Sequence, residues 1–281
     1  MTVLIAGCGD LGTETGLRLA ALGQHVVGLR RRAGLLPAAL DGQSVDLARE
    51  KPVVPPDTDL VIVAIAAGNP DPEVYRAAYV TGLGNVLDAL DDAQVTPRRF
   101  LMVSSTAVYD VDDGSTVDET TPATPGPGTD AILLEAEQLL RSRIPSAVVL
   151  RLGGIYGPGR ERLIDQVRSG RATVGERTRL TNRIHRDDAA AMIVHLLLRA
   201  KAPDPLYLGV DSTPVPAAEV LAFVAGELGL PVPEIVETGS KRGGDKRVSN
   251  RRILETGFSF SYPSYREGYR AVLAGQGVRH P

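Results

Sequence analysis

The chain has 281 residues, of which 43% are hydrophobic and 23% are charged, and its formal net charge is -3 at pH 7. This composition is typical of a globular protein, and the slightly acidic balance argues against nucleic-acid binding driven by net positive charge. The single cysteine, Cys8, excludes an internal disulfide, and no apolar run approaches the roughly 18 residues of a membrane span. We therefore expect a cytoplasmic protein that binds neither nucleic acid nor membrane, and no metal site.

Short apolar runs rich in β-branched residues recur along the first two thirds of the chain, separated by helix-like stretches. Runs of this kind are typical of parallel strands buried on both faces. They predict an α/β fold with a doubly wound parallel sheet of Rossmann type and right-handed crossovers. The predicted strands cover residues 2–6, 25–29, 60–66, 99–104 and 146–152, with one more over 205–210.

A glycine-rich motif follows the first predicted strand and opens a predicted helix over residues 11–22. The pattern G-x-G-x-x-G is satisfied by Gly7, Gly9, Asp10, Leu11 and Gly12. Glycines at such a turn let the backbone approach a pyrophosphate, which the free amides and positive dipole of the helix N-terminus then bind. The motif predicts a dinucleotide-binding site, with a purely structural glycine turn as the alternative.

The second predicted strand runs into three arginines rather than a carboxylate. A carboxylate there would bind the ribose 2′-hydroxyl of NAD, whereas guanidinium groups pair with the 2′-phosphate of NADP. Arg30 and Arg31 therefore favour NADP over NAD. The alternative is that these arginines are simply solvated on a loop, as exposed arginines commonly are.

Ser104 and Ser105 end the fourth predicted strand, at the sheet edge where open α/β folds bind ligands. They begin an S-S-x-x-V-Y stretch over residues 104–109. Three further stretches belong to the same set of motifs, namely Asp46-Leu47, R-x-x-x-x-Y-G-P over 151–158 and I-H-x-x-D over 184–188. On these motifs the chain resembles the extended short-chain dehydrogenase/reductases, the NAD-dependent epimerase/dehydratase family, over nearly its whole length.

The resemblance implies a Rossmann domain over residues 1–153, to which about 184–210 return, and a mainly substrate-binding region over 154–281. It implies an oxidoreductase that uses NADP, or NAD, on a carbonyl or alcohol of a small-molecule substrate. Together with the glycine motif, it gives these predicted cofactor-binding residues: Gly7, Gly9, Asp10, Leu11, Gly12, Arg30, Arg31, Asp46, Leu47, Ala66, Ala67, Ser104, Gly154 and Ile155.

The family pairs two helices of each chain across a twofold axis, which implies a homodimer here. Their counterparts are the predicted helix over 73–90 and the one after Asp130, whose leucines form a wide apolar face. Burial of these leucines in the core of one chain is the alternative explanation.

One departure from the family concerns the chemistry. Aligning on Glu137 puts Thr129 and Leu133 where the family has the Tyr-x-x-x-Lys pair that supplies its general acid. Neither residue can perform that chemistry, so the chain resembles an atypical subgroup that lacks the pair. Two alternatives stay open, an NADP(H)-binding redox sensor without turnover and a non-redox epimerase or dehydratase.

The predicted catalytic residues are Ser105, which would orient a substrate oxygen, and Tyr156 and His185 as proton donors, with Tyr109 and water as other options. A tyrosine near a glycine-proline loop is more often a packing residue, and His185 belongs to a strand-to-helix turn in the resembling segment. Residues 241–245 resemble the family's R-x-G-D stretch, where an arginine holds a substrate phosphate; a solvated loop is the alternative.

Overall fold

The structure is a computed structural model, and it describes residues 1–177, 179–236 and 244–281. The strands are β1 (Thr2–Ala6), β2 (His25–Arg30), β3 (Asp41–Ser44), β4 (Thr58–Val63), β5 (Arg99–Ser105), β6 (Asp112–Val117), β7 (Val148–Leu152), β8 (Gly154–Tyr156), β9 (Thr173–Gly175), β10 (Leu180–Thr181), β11 (Arg183–His185), β12 (Leu206–Gly209), β13 (Val215–Pro216), β14 (Glu234–Val236) and β15 (Asp245–Val248). The α-helices are α1 (Asp10–Ala21), α2 (Pro72–Tyr75), α3 (Gly82–Asp92), α4 (Thr129–Arg143), α5 (Arg162–Arg168), α6 (Arg186–Leu198), α7 (Ala217–Glu227), α8 (Arg251–Glu255) and α9 (Tyr265–Leu273).

Seven parallel strands form the central sheet in the order β12-β7-β5-β4-β1-β2-β3. The strand order reverses beside β1, so a crevice opens at the carboxyl ends of β1 and β4. This sheet, flanked by helices, confirms the predicted Rossmann-type α/β fold. The strand predicted over 205–210 is β12, which lies beside β7 at the edge of the sheet.

Alternate residues of each central strand face opposite sides of the sheet, and each side is covered by helices. In β1, Val3 and Ile5 belong to the core that packs against α1 and α6, whereas Leu4 and Ala6 belong to the core under α3 and α4. Strands buried on both faces need apolar residues at successive positions, which explains the continuous runs in the sequence.

Several elements differ from the predictions. The strand predicted over 60–66 is β4, which ends at Val63, so residues 64–68 are free to line the crevice. The helix predicted over 73–90 consists of α2 and α3 joined by a π-helical segment, Arg76–Thr81. Strand β3 was not predicted, because its sequence, Asp-Gly-Gln-Ser, is polar and lies at the exposed edge of the sheet.

The C-terminal region packs around a smaller core between α5, α7 and α9. After α9, the last residues of the chain run back to the N-terminal half of α1, where the main-chain nitrogen of His280 donates to Asp10. Within the described ranges, no helix is both long and apolar enough to span a bilayer. The described residues also contain no cluster of three His, Cys, Asp or Glu side chains that could hold a metal ion.

Candidate functional site

A cleft of about 2110 Å³ opens at the carboxyl ends of β1, β2, β4 and β5 and extends to a far wall made by α5, β9, β10 and α7. All the predicted cofactor-binding residues line it: Gly7, Gly9, Asp10, Leu11, Gly12, Arg30, Arg31, Asp46, Leu47, Ala66, Ala67, Ser104, Gly154 and Ile155. The structure therefore brings this set together in one place, and their binding role stays a prediction.

The glycine motif shapes the start of the cleft. Gly7 has φ +83°, and a Cβ there would lie 2.6 Å from the main chain of Ile65, so the turn needs glycine. A Cβ on Gly9 would meet nothing within 4 Å, so this glycine faces open space. Gly9 is also the N-cap of α1, and no side chain caps the helix. The first amides of α1 are thus presented to the cleft as a site that suits a phosphate.

Asp10 places a carboxylate in the first turn of α1, beside this anion site. Its Oδ1 accepts from Arg186 Nη1 at 2.8 Å, and its Oδ2 accepts from Arg160 Nε at 2.6 Å. Arg186 is almost completely buried. Because both carboxylate oxygens are paired with guanidinium groups, Asp10 does not leave an uncompensated negative charge where a pyrophosphate would bind.

The arginines after β2 differ in their surroundings. Arg30 is half-buried, and its Nη1 donates to the main-chain oxygen of Pro281 at 2.7 Å. Arg31 and Arg32 are exposed, and both line the same end of the cleft. Arg30, Arg31 and Arg32 therefore bring three positive charges to the same end of the cleft.

Asp46 and Leu47 form the turn that follows β3. Oδ1 of Asp46 accepts from the main-chain nitrogen of Ala48 at 3.3 Å, and the carbonyl oxygen of Leu47 accepts from Asn85 Nδ2 at 2.8 Å. These bonds hold the turn against α3 and leave it on the cleft wall.

The two serines that end β5 have different partners. Ser105 Oγ accepts from the main-chain nitrogen of Ala107 at 3.1 Å, which leaves its hydroxyl hydrogen available to a ligand oxygen in the cleft. Ser104 Oγ instead donates to Glu137 Oε1 at 2.6 Å. Ser105 is therefore suited to orient a substrate oxygen, whereas the Ser104 hydroxyl is used inside the protein.

Glu137 belongs to a buried network behind Ser104. Arg151 donates to both of its oxygens, from Nε at 3.0 Å and from Nη2 at 2.6 Å, and from Nη1 to the hydroxyl of Tyr109 at 2.6 Å. Burial is the main cause that raises the pKa of Tyr109. Tyr109 does not line the cleft, so its hydroxyl stabilises the Arg151 side chain rather than facing a ligand.

Thr129 and Leu133 lie on the first turns of α4 and line the cleft together with Ser105 and Ile155. The helix therefore presents positions 129 and 133 to the part of the cleft where an acid would be needed. The alignment on Glu137 is consistent with this placement, because Glu137 lies two turns further along the same helix, in contact with Ser104.

Tyr156 and His185, the other predicted catalytic residues, lie behind the cleft wall rather than in it. Tyr156 is buried, and its ring stacks on Tyr269 with centroids 4.5 Å apart. His185 is the N-cap of α6, where its Nδ1 accepts from the main-chain nitrogen of Asp187 at 3.2 Å. Burial raises the pKa of Tyr156 and lowers that of His185, so each favours its neutral form.

Among the cleft residues that no sequence motif indicated is Lys246 on β15. Its side chain lines the cleft although the residue is only 3% exposed, and its Nζ donates to the carbonyl oxygen of Tyr109 at 2.7 Å. An isolated lysine in a polar segment carries no recognisable pattern, so the sequence alone could not single it out. In the stretch that resembles R-x-G-D, positions 241–243 lie outside the described residues. Gly244, the next residue, lines the cleft.

The cleft is strongly basic although the chain is slightly acidic. Among the described residues that line it, three are acidic, namely Asp10, Asp46 and Asp130. Eleven are basic, and they are Arg30, Arg31, Arg32, Arg49, Arg160, Arg162, Arg171, Arg177, Arg179, Arg183 and Lys246. Such an excess of positive charge in a concave site attracts anionic ligands.

Comparison with known proteins agrees with this geometry. The model of the NAD dependent epimerase/dehydratase family matches residues 3–209, which span the central sheet and most of the cleft. The chain belongs to this family. Epimerase/dehydratase family members in the solved structures share its whole architecture: a protein from Methylobacillus flagellatus assigned to the NAD-dependent epimerases/dehydratases is 37% identical, with a TM-score of 0.81 over 98% of both chains.

Two further proteins are similar to this chain, one in sequence and one in fold. The chain is 27% identical to a 3-diazoavenalumate denitrifying reductase from Streptomyces, over 95% of this chain and 99% of that protein. The structure of a UDP-glucuronic acid 4-epimerase from Bacillus cereus, solved with UDP-glucuronic acid and NAD, has a TM-score of 0.82 over 96% of this chain and 97% of that one. At 18% identity, this second likeness concerns the fold alone.

Proposed function

We propose that the protein is an NAD(P)-dependent oxidoreductase of the extended short-chain dehydrogenase/reductase type that acts on a carbonyl or alcohol of a small metabolite. The observation that carries this proposal is a single cleft that joins the uncapped N-terminus of α1 to the hydroxyl of Ser105. Membership in an NAD-dependent family supports a nicotinamide cofactor, and the Streptomyces reductase supports a redox reaction. When bound, such a cofactor would supply or accept a hydride.

The residues of the cleft fit a dinucleotide. The amides at the start of α1 and the open face of Gly9 suit the pyrophosphate, and the turn at Asp46 and Leu47 suits the adenine. Arg30 and Arg31 suit a 2′-phosphate, so we favour NADP over NAD. Gly154 and Ile155 would lie beside the nicotinamide, opposite Ser105.

The proposal includes a proton donor other than the tyrosine that the resembling family uses. Thr129 and Leu133 line the cleft at the helix turns where the resembling family has its tyrosine and lysine. A threonine hydroxyl is too weak an acid to replace a tyrosine, and leucine carries no charge. Any turnover therefore uses another donor, with Ser105 holding the substrate oxygen.

The charge of the far wall indicates the kind of substrate. Arg162 and Arg171 line the cleft there, and neither forms an ion pair with a described residue. Arg177 and Arg179, by contrast, both bind Asp112. We therefore propose a substrate with a carboxylate or phosphate group that Arg162 and Arg171 would bind.

Cofactor binding and turnover are tested separately. Calorimetric titration of the wild type should give a lower Kd for NADPH than for NADH, and the double substitution Arg30→Ala/Arg31→Ala should remove roughly a ten- to hundredfold preference. Arg141→Ala, an exposed arginine on α4, is the control. Equal affinities in the wild type would contradict the NADP assignment, and no binding of either nucleotide would contradict the function.

The alternatives predict different outcomes of a turnover assay. We expect NADPH absorbance to fall when the protein is mixed with a panel of aldehydes, ketones and 2-oxo acids. The missing tyrosine at position 129 favours one other candidate, a redox sensor. Tight NADPH binding without oxidation of NADPH by any of these compounds would support the sensor. Conversion of a sugar nucleotide without net change in NADPH would support a non-redox epimerase or dehydratase.

A further inference from the structure

The reaction proposed above needs a proton donor within the cleft, and few described side chains there can serve. Serine and threonine hydroxyls are too weakly acidic, and arginine does not lose its proton in proteins. Besides the carboxyl groups of Asp10, Asp46 and Asp130, which only accept hydrogen bonds when ionised, three cleft-lining groups lose a proton within the ordinary range of enzyme acids, namely Tyr75, Tyr79 and Lys246.

The two tyrosines are poor candidates. Their rings pack against each other, with centroids 5.2 Å apart, in a core that includes Leu133. Burial is the largest effect on Tyr79 and raises its pKa, which makes the phenol a weaker acid than it is in water. Neither tyrosine is attached to the turn after β5 that carries Ser105.

Lys246 lies where two parts of the reaction site meet. Its Nζ donates at 2.7 Å to the carbonyl oxygen of Tyr109, at the end of the turn that Ser105 begins. Its own carbonyl oxygen accepts from Asn182 Nδ2 at 2.9 Å. The carbonyl oxygen of Asn182 in turn accepts from the nitrogen of Gly154 at 2.9 Å. Lys246 is therefore held between the Ser105 turn and the loop proposed to lie beside the nicotinamide.

We propose that Lys246 is the proton donor of this site, in place of the tyrosine that the family carries at position 129. This inference rests on the proposed function. Burial alone lowers the pKa of the Lys246 ammonium, whereas burial raises the pKa of a phenol, which becomes a stronger acid only beside a cation. Lys246 alone would thereby supply the proton, for which the family uses a tyrosine and a lysine together.

The step balances as follows for reduction. The carbonyl carbon gains a hydride, with its two electrons, from the reduced nicotinamide, which is oxidised. The electrons of the C=O π bond move to the oxygen, which takes a proton from Lys246 Nζ and becomes an alcohol. The neutral amine left on Lys246 then regains a proton from water. Oxidation of an alcohol runs through the same steps in reverse.

The surroundings of Lys246 suit a group that gives up and regains a proton. Burial lowers the pKa of its ammonium, while the carboxylates of Asp130, Asp110 and Asp112 oppose that effect. Arg177 and Arg179 bind Asp112 and reduce its influence. The net effect is a lysine that loses its proton more readily than an exposed one.

The first test needs no substrate. Acetylation by acetic anhydride is followed by mass spectrometry between about pH 6 and pH 11, and the rate at each lysine is scaled to its own plateau; the midpoint should lie at a lower pH for Lys246 than for Lys201, an exposed lysine in the same sample. NADPH should protect Lys246 and leave Lys201 unaffected. Modification of both lysines at the same pH, or no protection of Lys246 by NADPH, would overturn the proposal.

The second test compares variants with NADPH and 9,10-phenanthrenequinone as the reducible probe. Lys246→Met should lower the rate by about 10² to 10⁴ and leave NADPH affinity within about threefold of the wild type. Lys246→Arg should be equally slow, because an arginine keeps the charge and the donors but not the transferable proton. A structural role would instead be restored by arginine. Lys201→Met is the matched control.

The outcomes separate this inference from the proposed function. A wild type that oxidises NADPH, with Lys246→Arg retaining its rate, would overturn the role of Lys246 and leave the oxidoreductase intact. Loss of the rate in Tyr79→Phe but not in Lys246→Met would assign the proton to Tyr79 instead. A wild type that binds NADPH but reduces neither this quinone nor any other carbonyl would overturn both. Thermal unfolding of each variant establishes that it is folded.

Discussion

Nη1 of Arg30 and the main-chain oxygen of Pro281 lie 2.7 Å apart, although 251 positions separate the two residues in the sequence. The same C-terminal segment is held by Arg186, which donates to the carbonyl oxygen of Val278, and by His280, which contacts Glu14 on α1. The residue proposed to select NADP is therefore oriented by a part of the chain that does not line the cleft.

We expect this contact to support the preference for NADPH. Removal of residues 279–281 should lower the NADPH/NADH affinity ratio by about five- to tenfold, because Arg30 loses a bond that restricts its side chain. The same removal in an Arg30→Ala background should leave the ratio unchanged. Val278→Ala is the control, since only the main chain of Val278 takes part. An increase in the ratio would mean that Pro281 competes with the cofactor for Arg30.

Gly7 and Gly9 should respond differently to alanine. Gly7→Ala should destabilise the fold by at least about 1–2 kcal/mol, because it forces a positive φ and its Cβ would lie 2.6 Å from the main chain of Ile65. Gly9 has an ordinary φ of -87° and open space around it, so Gly9→Ala should change the free energy of unfolding by under about 0.5 kcal/mol. Its methyl group would instead weaken NADPH binding. Urea unfolding and calorimetry measure the two effects, and normal NADPH affinity in Gly9→Ala would place the phosphate elsewhere.

The network of Ser104, Glu137 and Arg151 should stabilise the folded protein. Glu137→Ala leaves the buried guanidinium of Arg151 without its carboxylate and should lower the free energy of unfolding by about 3–5 kcal/mol. Ser104→Ala should cost about 1–3 kcal/mol. Glu135→Gln, on the exposed side of the same helix, should cost under about 1 kcal/mol. Equal effects at positions 135 and 137 would contradict this assignment.

Asp211 should make stability depend on pH. Burial raises its pKa to about 7, well above the unfolded value of about 3.9, so the folded chain retains a proton that the unfolded chain has lost between these two values. The free energy of unfolding should therefore fall by up to about 1.4 kcal/mol per pH unit from pH 4 to pH 7, and this contribution should be constant above pH 7. Asp211→Asn should reduce the slope and leave the smaller part that comes from Asp188 and Glu119, whose pKa values burial also raises, whereas Asp204→Asn, at an exposed position, should not change it. Parallel pH profiles of the wild type and Asp211→Asn would contradict the prediction.

Homodimer formation stays a prediction, and the structure reduces the number of apolar α4 side chains that could contact a second copy. Ile132, Leu133 and Leu140 of α4 are buried within one chain, whereas Leu134 and Leu139 are half-exposed and available for a second copy. We expect light scattering at micromolar concentration to give twice the chain mass of 29.8 kDa. Leu134→Glu with Leu139→Glu should then give a monomer that remains folded. A wild-type mass near 30 kDa would rule the dimer out.

The sequence predicted the sheet well because buried parallel strands require continuous apolar runs, and it predicted the glycine turn because Gly7 and Gly9 have a recognisable spacing. It did not predict β3, since an exposed edge strand needs no apolar residues. Motif position alone also could not tell that Tyr156 belongs to the C-terminal core, with His185 packed on Tyr156 and Tyr262, while Gly154 and Ile155 line the cleft. Lys246 enters the cleft through long-range pairing of β15 with β6, which no local pattern encodes.

Strand β12 completes the sheet at Gly209, and the family model ends at that same residue. Everything after it, including Lys246 on β15 and the segment that orients Arg30, follows a sheet whose seven strands are already in place. Exchange of residues 210–281 between two relatives should therefore transfer the proton donor together with the segment that orients Arg30, while the arginines proposed to select NADP stay with the sheet. In such a chimera, the C-terminal part would determine the proton donor. The N-terminal part would supply the sheet and the residues proposed to bind the cofactor.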